Sequence, residues 1–235
     1  MSPPRVTRPL LTREQVRSHY DGPGSSEDGQ WAHGKRAVKR LIELGEFSTA
    51  SQVVEFGCGN GALAQRLMED HLPIYAKYSG FDLSETMVQN ARSRLIPFGS
   101  RVTVTKTDGR PRVPLPQASC DRFVSTYVLE LLTSQDIAKL LGQAWVLLRP
   151  GGLLCLASLT HGTTFLSRTV IKIWKRRHDK NPTKVGGCRP ISLTPFLGPA
   201  SWKVLYSDTV ISRGVPSEVL VARPRAHARN HGDPK

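Results

Sequence analysis

Residues 53–61 decide the fold of this chain, and they read Val53-Val54-Glu55-Phe56-Gly57-Cys58-Gly59-Asn60-Gly61. A short apolar run, typical of a β-strand, leads into three glycines at alternate positions, and residues 62–70 have the pattern of a helix. Glycine admits positive φ and lets a ligand approach the backbone, and the amides at the start of the next helix face that ligand. We therefore expect a small-molecule site near residues 55–63.

The glycine spacing is compatible with more than one interpretation. Gly57-x-Gly59-x-x-Ala62 fits the fingerprint of a dinucleotide-binding turn, which permits alanine at its last position. A strand-to-helix turn that binds no ligand is the structural alternative, because short motifs also match by chance. The rest of the chain has to decide between them.

Two further strand ends carry carboxylates. Lys77–Asp82 reads as a second strand, and its final aspartate lies about 20 residues past the glycines, where a carboxylate accepts the hydroxyls of a ribose. Ser84 is a suitable N-cap for the helix after it. Residues 101–107 alternate as a third strand and end in Asp108-Gly109, so we expect acidic residues to recur along one edge of the sheet.

The second half of the chain continues the alternation of strands and helices. Residues 122–129 read as a fourth strand, and apolar residues at helical spacing come after it. Residues 149–152, Arg-Pro-Gly-Gly, then end that helix, since proline removes a donor and glycine permits a left-handed turn. Residues 153–159 form the continuous apolar run of a strand buried on both faces. Residues 204–212 and 218–223 predict a closing hairpin.

Residues 53–159 resemble a class I S-adenosylmethionine (SAM) dependent methyltransferase of the small-molecule, type 11/25-like branch. The motifs of that family occur in order: Glu55 to Gly61, Phe81-Asp82, Thr107-Asp108-Gly109, Leu115-Pro116 before Asp121-Arg122-Phe123, and Leu148-Arg149-Pro150-Gly151-Gly152. The resemblance implies an α/β fold with a Rossmann-like, seven-stranded, mostly parallel sheet, helices on both faces and an antiparallel last strand.

The same resemblance implies SAM as the cofactor and assigns roles to individual residues. The glycines at 57, 59 and 61 would line the methionine end of SAM, with Glu55 near its ammonium group. Asp82 would hold the ribose hydroxyls, Asp108 and Gly109 would meet the adenine edge, and Tyr127 would face the sulfonium and the acceptor. The structural alternatives are strand-end caps for Glu55 and Asp82, a turn for Asp108 and a core position for Tyr127.

Methyl transfer asks the protein mainly to align nucleophile, methyl group and sulfur, and such positioning supplies about 7–11 kcal/mol. A general base is needed only when the acceptor must first lose a proton. The candidates are His19 and Tyr20 in the N-terminal segment and His161 after the fifth strand, with Tyr127 at the reacting centre. Tyr20 either closes over the SAM site or fills a loop, and a lone histidine such as His161 is more often structural or exposed than catalytic.

The residues after the fourth strand disfavour a whole class of methyltransferases. Enzymes that methylate exocyclic amines of nucleic acids rely on an (Asp/Asn)-Pro-Pro-(Tyr/Phe) motif at that position. This chain reads Ser125-Thr126-Tyr127-Val128-Leu129-Glu130 instead.

Acceptor recognition is expected outside the shared core. Residues 1–50 form an N-terminal cap or lid, residues 51–223 the methyltransferase domain, and residues 224–235 a basic tail that we expect to be disordered. Within the domain, residues 160–199 form an insertion on the acceptor side, and residues 165–180 read as a basic amphipathic helix. We interpret that helix first as a cap over the acceptor pocket and second as a peripheral membrane contact.

Composition bounds the remaining possibilities. The length of 235 residues indicates one domain with a full core. The formal net charge of +14, with a pI near 10.1, indicates an anionic partner. The sequence contains neither a basic stripe with interleaved aromatic residues nor a zinc-finger spacing, so it does not indicate specific nucleic-acid binding. The cysteines at 58, 120, 155 and 188 form neither a disulfide framework nor a metal-ligand pattern, so a reducing compartment and no metal are expected.

No apolar run approaches the length of about 20 residues that spans a bilayer, so we expect no transmembrane segment. A cytoplasmic location is expected, with a weak organelle transit signal as the alternative. Arg189 is expected at the surface, and capture of an anionic acceptor group is the alternative for it.

The sequence therefore predicts a SAM-dependent methyltransferase that acts on a small organic or lipid-like acceptor. An RNA or protein methyltransferase is the alternative that the positive charge favours. A nicotinamide-dependent oxidoreductase, or a non-catalytic binding domain of the same fold, is the further alternative that the glycine spacing permits.

Overall fold

The computed structural model describes residues 10–22 and 34–225. Its sheet consists of β1 (Gln52–Phe56), β2 (Lys77–Asp82), β3 (Val102–Lys106), β4 (Cys120–Thr126), β5 (Leu148–Leu159), β6 (Trp202–Ser212) and β7 (Val215–Pro224). The strand order is β3-β2-β1-β4-β5-β7-β6. Strand β7 runs antiparallel to both of its neighbours, and the remaining pairs are parallel. The predicted seven-stranded, mostly parallel α/β fold is confirmed.

Six α-helices flank the sheet in the described part of the chain: α1 (Arg13–Asp21), α2 (Lys35–Leu44), α3 (Ala62–Asp70), α4 (Glu85–Leu95), α5 (Ser134–Leu147) and α6 (Phe165–Lys180). Short polar side chains begin several of them, because the first amides of a helix have no partner within it. The predicted N-cap Ser84 is confirmed, since its Oγ accepts from the Met87 amide at 3.1 Å. The predicted amphipathic helix over residues 165–180 is α6.

Two apolar layers cover the two faces of the sheet. Helices α2, α3 and α4 pack on one face through buried side chains such as Leu41 and Leu67. Helix α5 packs on the other face through side chains such as Leu140. The adjacent residues Val53 and Val54 of β1 belong to opposite layers, as the alternation of a strand requires. Burial on both faces explains the continuous apolar runs in the central strands.

Three predicted boundaries differ from the structure. Strand β4 ends at Thr126 rather than continuing to residue 129, because Tyr127 adopts a left-handed φ of 58° that breaks the extended chain. Helix α5 ends at Leu147, so residues 149–152 open strand β5 instead of closing the helix. The closing hairpin is longer than predicted and turns through Arg213 and Gly214, whose φ values of 51° and 80° suit a tight turn.

Parts of the predicted cap and tail lie outside the described residues, namely residues 1–9, residues 23–33 and those after residue 225. The four cysteines are buried and free. Within residues 10–22 and 34–225, no cluster of histidine, cysteine and acidic side chains is arranged to hold a metal, and no helix is long and apolar enough to cross a bilayer.

Candidate functional site

A cavity of about 750 Å³ opens at the carboxyl edge of β1, β2 and β4. The loop of residues 57–60 and the segment after β2 form one side of it. Helix α1, the start of α2 and residues 126–133 form the opposite side. Its size is that of a pocket for a complete small molecule, and it lies where the glycine pattern predicted a site.

The three glycines of the loop are required for different physical reasons. All have left-handed φ values, between 52° and 79°. A Cβ on Gly57 would lie 2.1 Å from Cγ2 of Val128, and one on Gly61 would lie 3.1 Å from Cβ of Ala91. A Cβ on Gly59 would meet no atom within 4 Å. Gly57 and Gly61 therefore permit close packing of the protein on itself, whereas Gly59 keeps free the space of the cavity that it lines.

Asp82, at the end of β2, connects the glycine loop to helix α4. Its Oδ2 accepts from the Gly59 amide at 2.8 Å, and its Oδ1 accepts from the Ser84 amide at 2.9 Å. Burial raises the pKa of Asp82, and the amides of Ser84 and Gly59 oppose that rise. Each carboxylate oxygen has a second lone pair, so Asp82 can still accept hydroxyl groups from a ligand in the cavity that it lines.

Glu55, the residue before the last one of β1, is a buried acid in the cavity wall. It is 1% exposed and accepts a hydrogen bond of 2.5 Å from the hydroxyl of Tyr78. Burial raises the pKa of Glu55 from 4.5 to about 8, and the Tyr78 hydroxyl partly opposes the rise. A carboxyl group in this state is largely neutral at pH 7 and ionises when a cation binds beside it.

Helix α1 spans the cavity and is fixed at both ends. At its C-terminus, Oδ1 of Asp21 accepts from Ser84 Oγ at 2.6 Å and from the Thr86 amide at 3.2 Å. At its N-terminus, Arg13 pairs with Asp136 of α5 at 3.0 Å. Helix α1, which we propose is a lid over the cavity, is therefore anchored on α4 and α5, whereas α2, in the same predicted cap of residues 1–50, packs on the sheet. Sequence reasoning singled out Tyr20 and missed Asp21, since nothing in the local sequence identifies its distant partners.

Two tyrosines line the cavity with their hydroxyls already engaged. Tyr20 donates to the carbonyl of Gly186 at 3.4 Å, and the Tyr127 hydroxyl bonds Ser217 Oγ at 2.8 Å. Burial raises the pKa of Tyr20 and of Tyr127. Both phenols therefore stay protonated at neutral pH, which suits them to positioning a ligand rather than to removing a proton.

Four predicted site residues, His19, Gly61, Asp108 and His161, do not line the cavity. The side chain of Asp108 is exposed and pairs with Arg110 at 3.4 Å, while the neighbouring Gly109 does line the cavity. His161 is exposed, and its Nδ1 lies 3.3 Å from Nζ of Lys175. The assignments of Asp108 to adenine and of His161 to proton removal remain predictions.

The expectation of a surface position for Arg189 is wrong. Arg189 is fully buried, and its guanidinium donates to the carbonyls of Glu130, at 2.6 Å, and of Leu132. The Glu130 carboxylate in turn accepts from Ser158 Oγ at 2.8 Å and from the Leu159 amide at 3.1 Å. Burial raises the pKa of Glu130 to about 7. This buried network fixes the loop after β4, which forms part of the cavity wall.

Comparison with known proteins agrees with this geometry. Residues 53–152 match the model of a methyltransferase domain family. An uncharacterised methyltransferase of Anoxybacillus flavithermus is 29% identical over 149 residues, which cover 63% of this chain and 64% of that protein. An uncharacterised methyltransferase of a Geobacillus species is 33% identical over 138 residues, which cover 59% of this chain and 61% of that protein. The chain thus spans less than two thirds of the length of these relatives.

A solved structure confirms the fold independently. The crystal structure of the [4+2]-cyclase SpnF superposes with a TM-score of 0.67, covering 92% of this chain and 98% of that one at 19% identity. A likeness at this identity concerns the fold alone, and one fold supports different chemistries. The match of residues 53–152 and the relatives named as methyltransferases bear out the predicted family resemblance, and the superposition bears out the fold. Residues 53–152 are thus a methyltransferase domain of the kind that the sequence resembles.

Proposed function

We propose that this protein transfers the methyl group of SAM to a small organic or lipid-like acceptor. The observation that carries the proposal is a continuous cavity with two unlike sides. One side presents Glu55, Gly59 and Asp82, and the other combines a cluster of aliphatic side chains with charged groups of α1, α2 and α5. A polar cofactor side facing an acceptor side with an aliphatic cluster suits such a transfer.

The residues of the polar side fit the chemical groups of SAM. Asp82 has lone pairs left for two ribose hydroxyls after it has accepted its two amides. Glu55 would pair with the ammonium group, because its raised pKa falls when a cation lies beside it. The open position beside Gly59 leaves room for the ligand at the loop. When bound, SAM supplies a methyl group already activated by a positive sulfur.

The contribution of the chain is alignment and exclusion of water. Helix α1, held by Asp21 and Arg13, would cover the reacting groups. Tyr20 and Tyr127 would orient the acceptor through hydroxyls that stay protonated. Such positioning accounts for about 7–11 kcal/mol of the barrier. We propose that the acceptor brings a nucleophile that is already deprotonated at neutral pH, such as a carboxylate or an acidic enol, since these phenols are poor bases.

The far wall supports an apolar acceptor. Its aliphatic side chains come from the residues before α1, from α1 and α2, and from the loop after β4: Leu10, Leu11, Val16, Val38, Leu131 and Leu132. Apolar surface that is removed from water when a hydrophobic molecule binds here contributes about 25 cal/mol per Å² to the free energy of binding. The same wall also presents Arg13, Arg17, Lys35 and Asp136, which would pair with a charged group at one end of such an acceptor.

The proposal is tested by incubating the full chain with SAM that carries a radiolabelled methyl group and with fractionated cell extract. Label that partitions into organic solvent supports a small or lipid-like acceptor. Label retained on RNA or on protein supports the alternative of an RNA or protein methyltransferase. Label in no fraction contradicts methyl transfer altogether. Substitution of Asp82 by alanine is the control, because it removes the group proposed to hold the ribose.

A further inference from the structure

Helix α6 has an inner face and an outer face of different character. Ser167, Ile171 and His178 are buried against the rest of the protein. On the outward side, Phe165, Leu166 and Ile173 are exposed by 88%, 63% and 46%. Exposure of three large apolar side chains on one helix is unfavourable in water unless something covers them.

The same outward side is strongly basic. The helix contains six lysine and arginine residues and one acidic residue: Arg168, Lys172, Lys175, Arg176, Arg177, Lys180 and Asp179. At 100° per residue, Lys172, Arg176 and Lys180 fall on the side of Phe165 and Ile173, opposite the buried Ile171. Apolar side chains interspersed with cations on one helical face are typical of a helix that lies in the interface of an anionic bilayer.

The position of α6 places this face beside the cavity. Strand β5 is parallel to β4, so α6 begins at the sheet edge on which the cavity opens. Trp174 Nε1 donates to the carbonyl of Cys188 at 2.8 Å. The same turn of chain supplies the Gly186 carbonyl to Tyr20 in the cavity wall. A surface bound by α6 would therefore lie next to the acceptor side of the site.

We propose that the outward face of α6 docks this protein on an anionic lipid surface. Phe165, Leu166 and Ile173 enter the headgroup region, and the basic side chains pair with lipid phosphates or carboxylates. RNA is the other polyanion that the charge permits. It is disfavoured because single-stranded RNA is held by stacked aromatic rings, and two of the three exposed apolar side chains are aliphatic. The inference does not depend on the chemistry of the cavity.

The test is flotation of the full chain with vesicles of phosphatidylcholine alone or with one third phosphatidylglycerol. A charge variant, K172Q/R176Q/K180Q, and an apolar variant, F165S/I173S, change only exposed positions of α6. Matched controls are K77Q/K139Q/K203Q, which removes the same charge elsewhere, and I74S/I96S, whose side chains are 82% and 73% exposed. Binding of S-adenosylhomocysteine (SAH), measured separately, reports on the cavity.

We expect the wild-type chain to float with anionic vesicles and not with neutral ones, and to dissociate at high salt. The charge variant lowers the partition coefficient on the order of 100-fold and the apolar variant about tenfold, while both matched controls stay within about twofold. Equal binding to both vesicle types overturns the proposal. So does an equal loss in the matched controls, or capture of single-stranded RNA by α6 without vesicle binding.

Discussion

Asp21 at the end of α1 accepts a 2.6 Å hydrogen bond from Ser84 Oγ at the start of α4, and the Ser84 amide donates to Asp82. One serine thus connects a carboxylate of the lid with the carboxylate proposed to hold the cofactor. The charge of Asp21 also adds to the rise in the pKa of Asp82, which is caused mainly by burial. The position of α1 and the protonation of Asp82 are therefore linked.

Asp21→Ala should release the end of α1. The variant loses two hydrogen bonds that also cap α4, so we expect SAH affinity to fall about fivefold, equivalent to about 1 kcal/mol. Hydrogen exchange of the α1 amides should accelerate in the same variant, since this end of the helix then keeps only the longer contacts of Tyr20 with Gly186 and of Thr86 with the main-chain carbonyl of residue 21. Glu14→Ala, an exposed change on the same helix, serves as the control. Unchanged protection of α1 in Asp21→Ala would show that the contact does not hold the lid.

A matched pair of glycine substitutions separates an effect on protein packing from an effect on ligand binding. Gly57→Ala places a Cβ 2.1 Å from Val128, so we expect a loss of about 2–4 kcal/mol in the free energy of unfolding. Gly59→Ala meets no protein atom and bears only the strain of its φ of 52°, about 1–2 kcal/mol. Its new methyl group enters the cavity, so SAH binding should weaken at least about tenfold. Thermal unfolding and calorimetry check the pair, and normal SAH binding by Gly59→Ala would argue against a ligand at this loop.

The buried Glu55 should make stability fall as pH rises. Its pKa is about 8 in the folded chain and near 4.5 when exposed, so between these values the folded state keeps a proton that the unfolded state has lost. We expect the wild type to lose up to about 1.4 kcal/mol per pH unit relative to Glu55→Gln between pH 5 and 8. Chemical denaturation across this range measures the difference, with the exposed Glu43→Gln as control. Parallel curves for wild type and Glu55→Gln would mean that Glu55 is ionised in the folded protein.

Local sequence predicted the strands and helices well because the sheet is buried on both faces. Continuous apolar runs such as residues 153–159 have few structural alternatives. The ends of elements were less predictable where one residue departs from its common backbone region. Tyr127 is the clearest case, since tyrosine rarely adopts the left-handed φ of 58° that ends β4.

The polar residues of the site were predictable only where a motif marks them. Glu55, Gly59 and Asp82 line the cavity as the motif pattern indicated. Asp21 and Arg189 were missed because their partners, Ser84 and Glu130, are distant in sequence. Charge alone favours a surface position for an arginine, and only the packed structure reveals the carbonyl groups that satisfy Arg189.

The proposed activity depends on one claim, that an adenosyl cofactor occupies the cavity beside Gly59 and Asp82. Isothermal titration of the folded chain with SAH, beside NADH and NADPH, tests it most directly. We expect heat of association with SAH alone, and a loss of at least about 50-fold in affinity in Asp82→Ala, since the ribose hydroxyls lose their acceptors. No heat with SAH, or undiminished affinity in Asp82→Ala, would contradict that occupation.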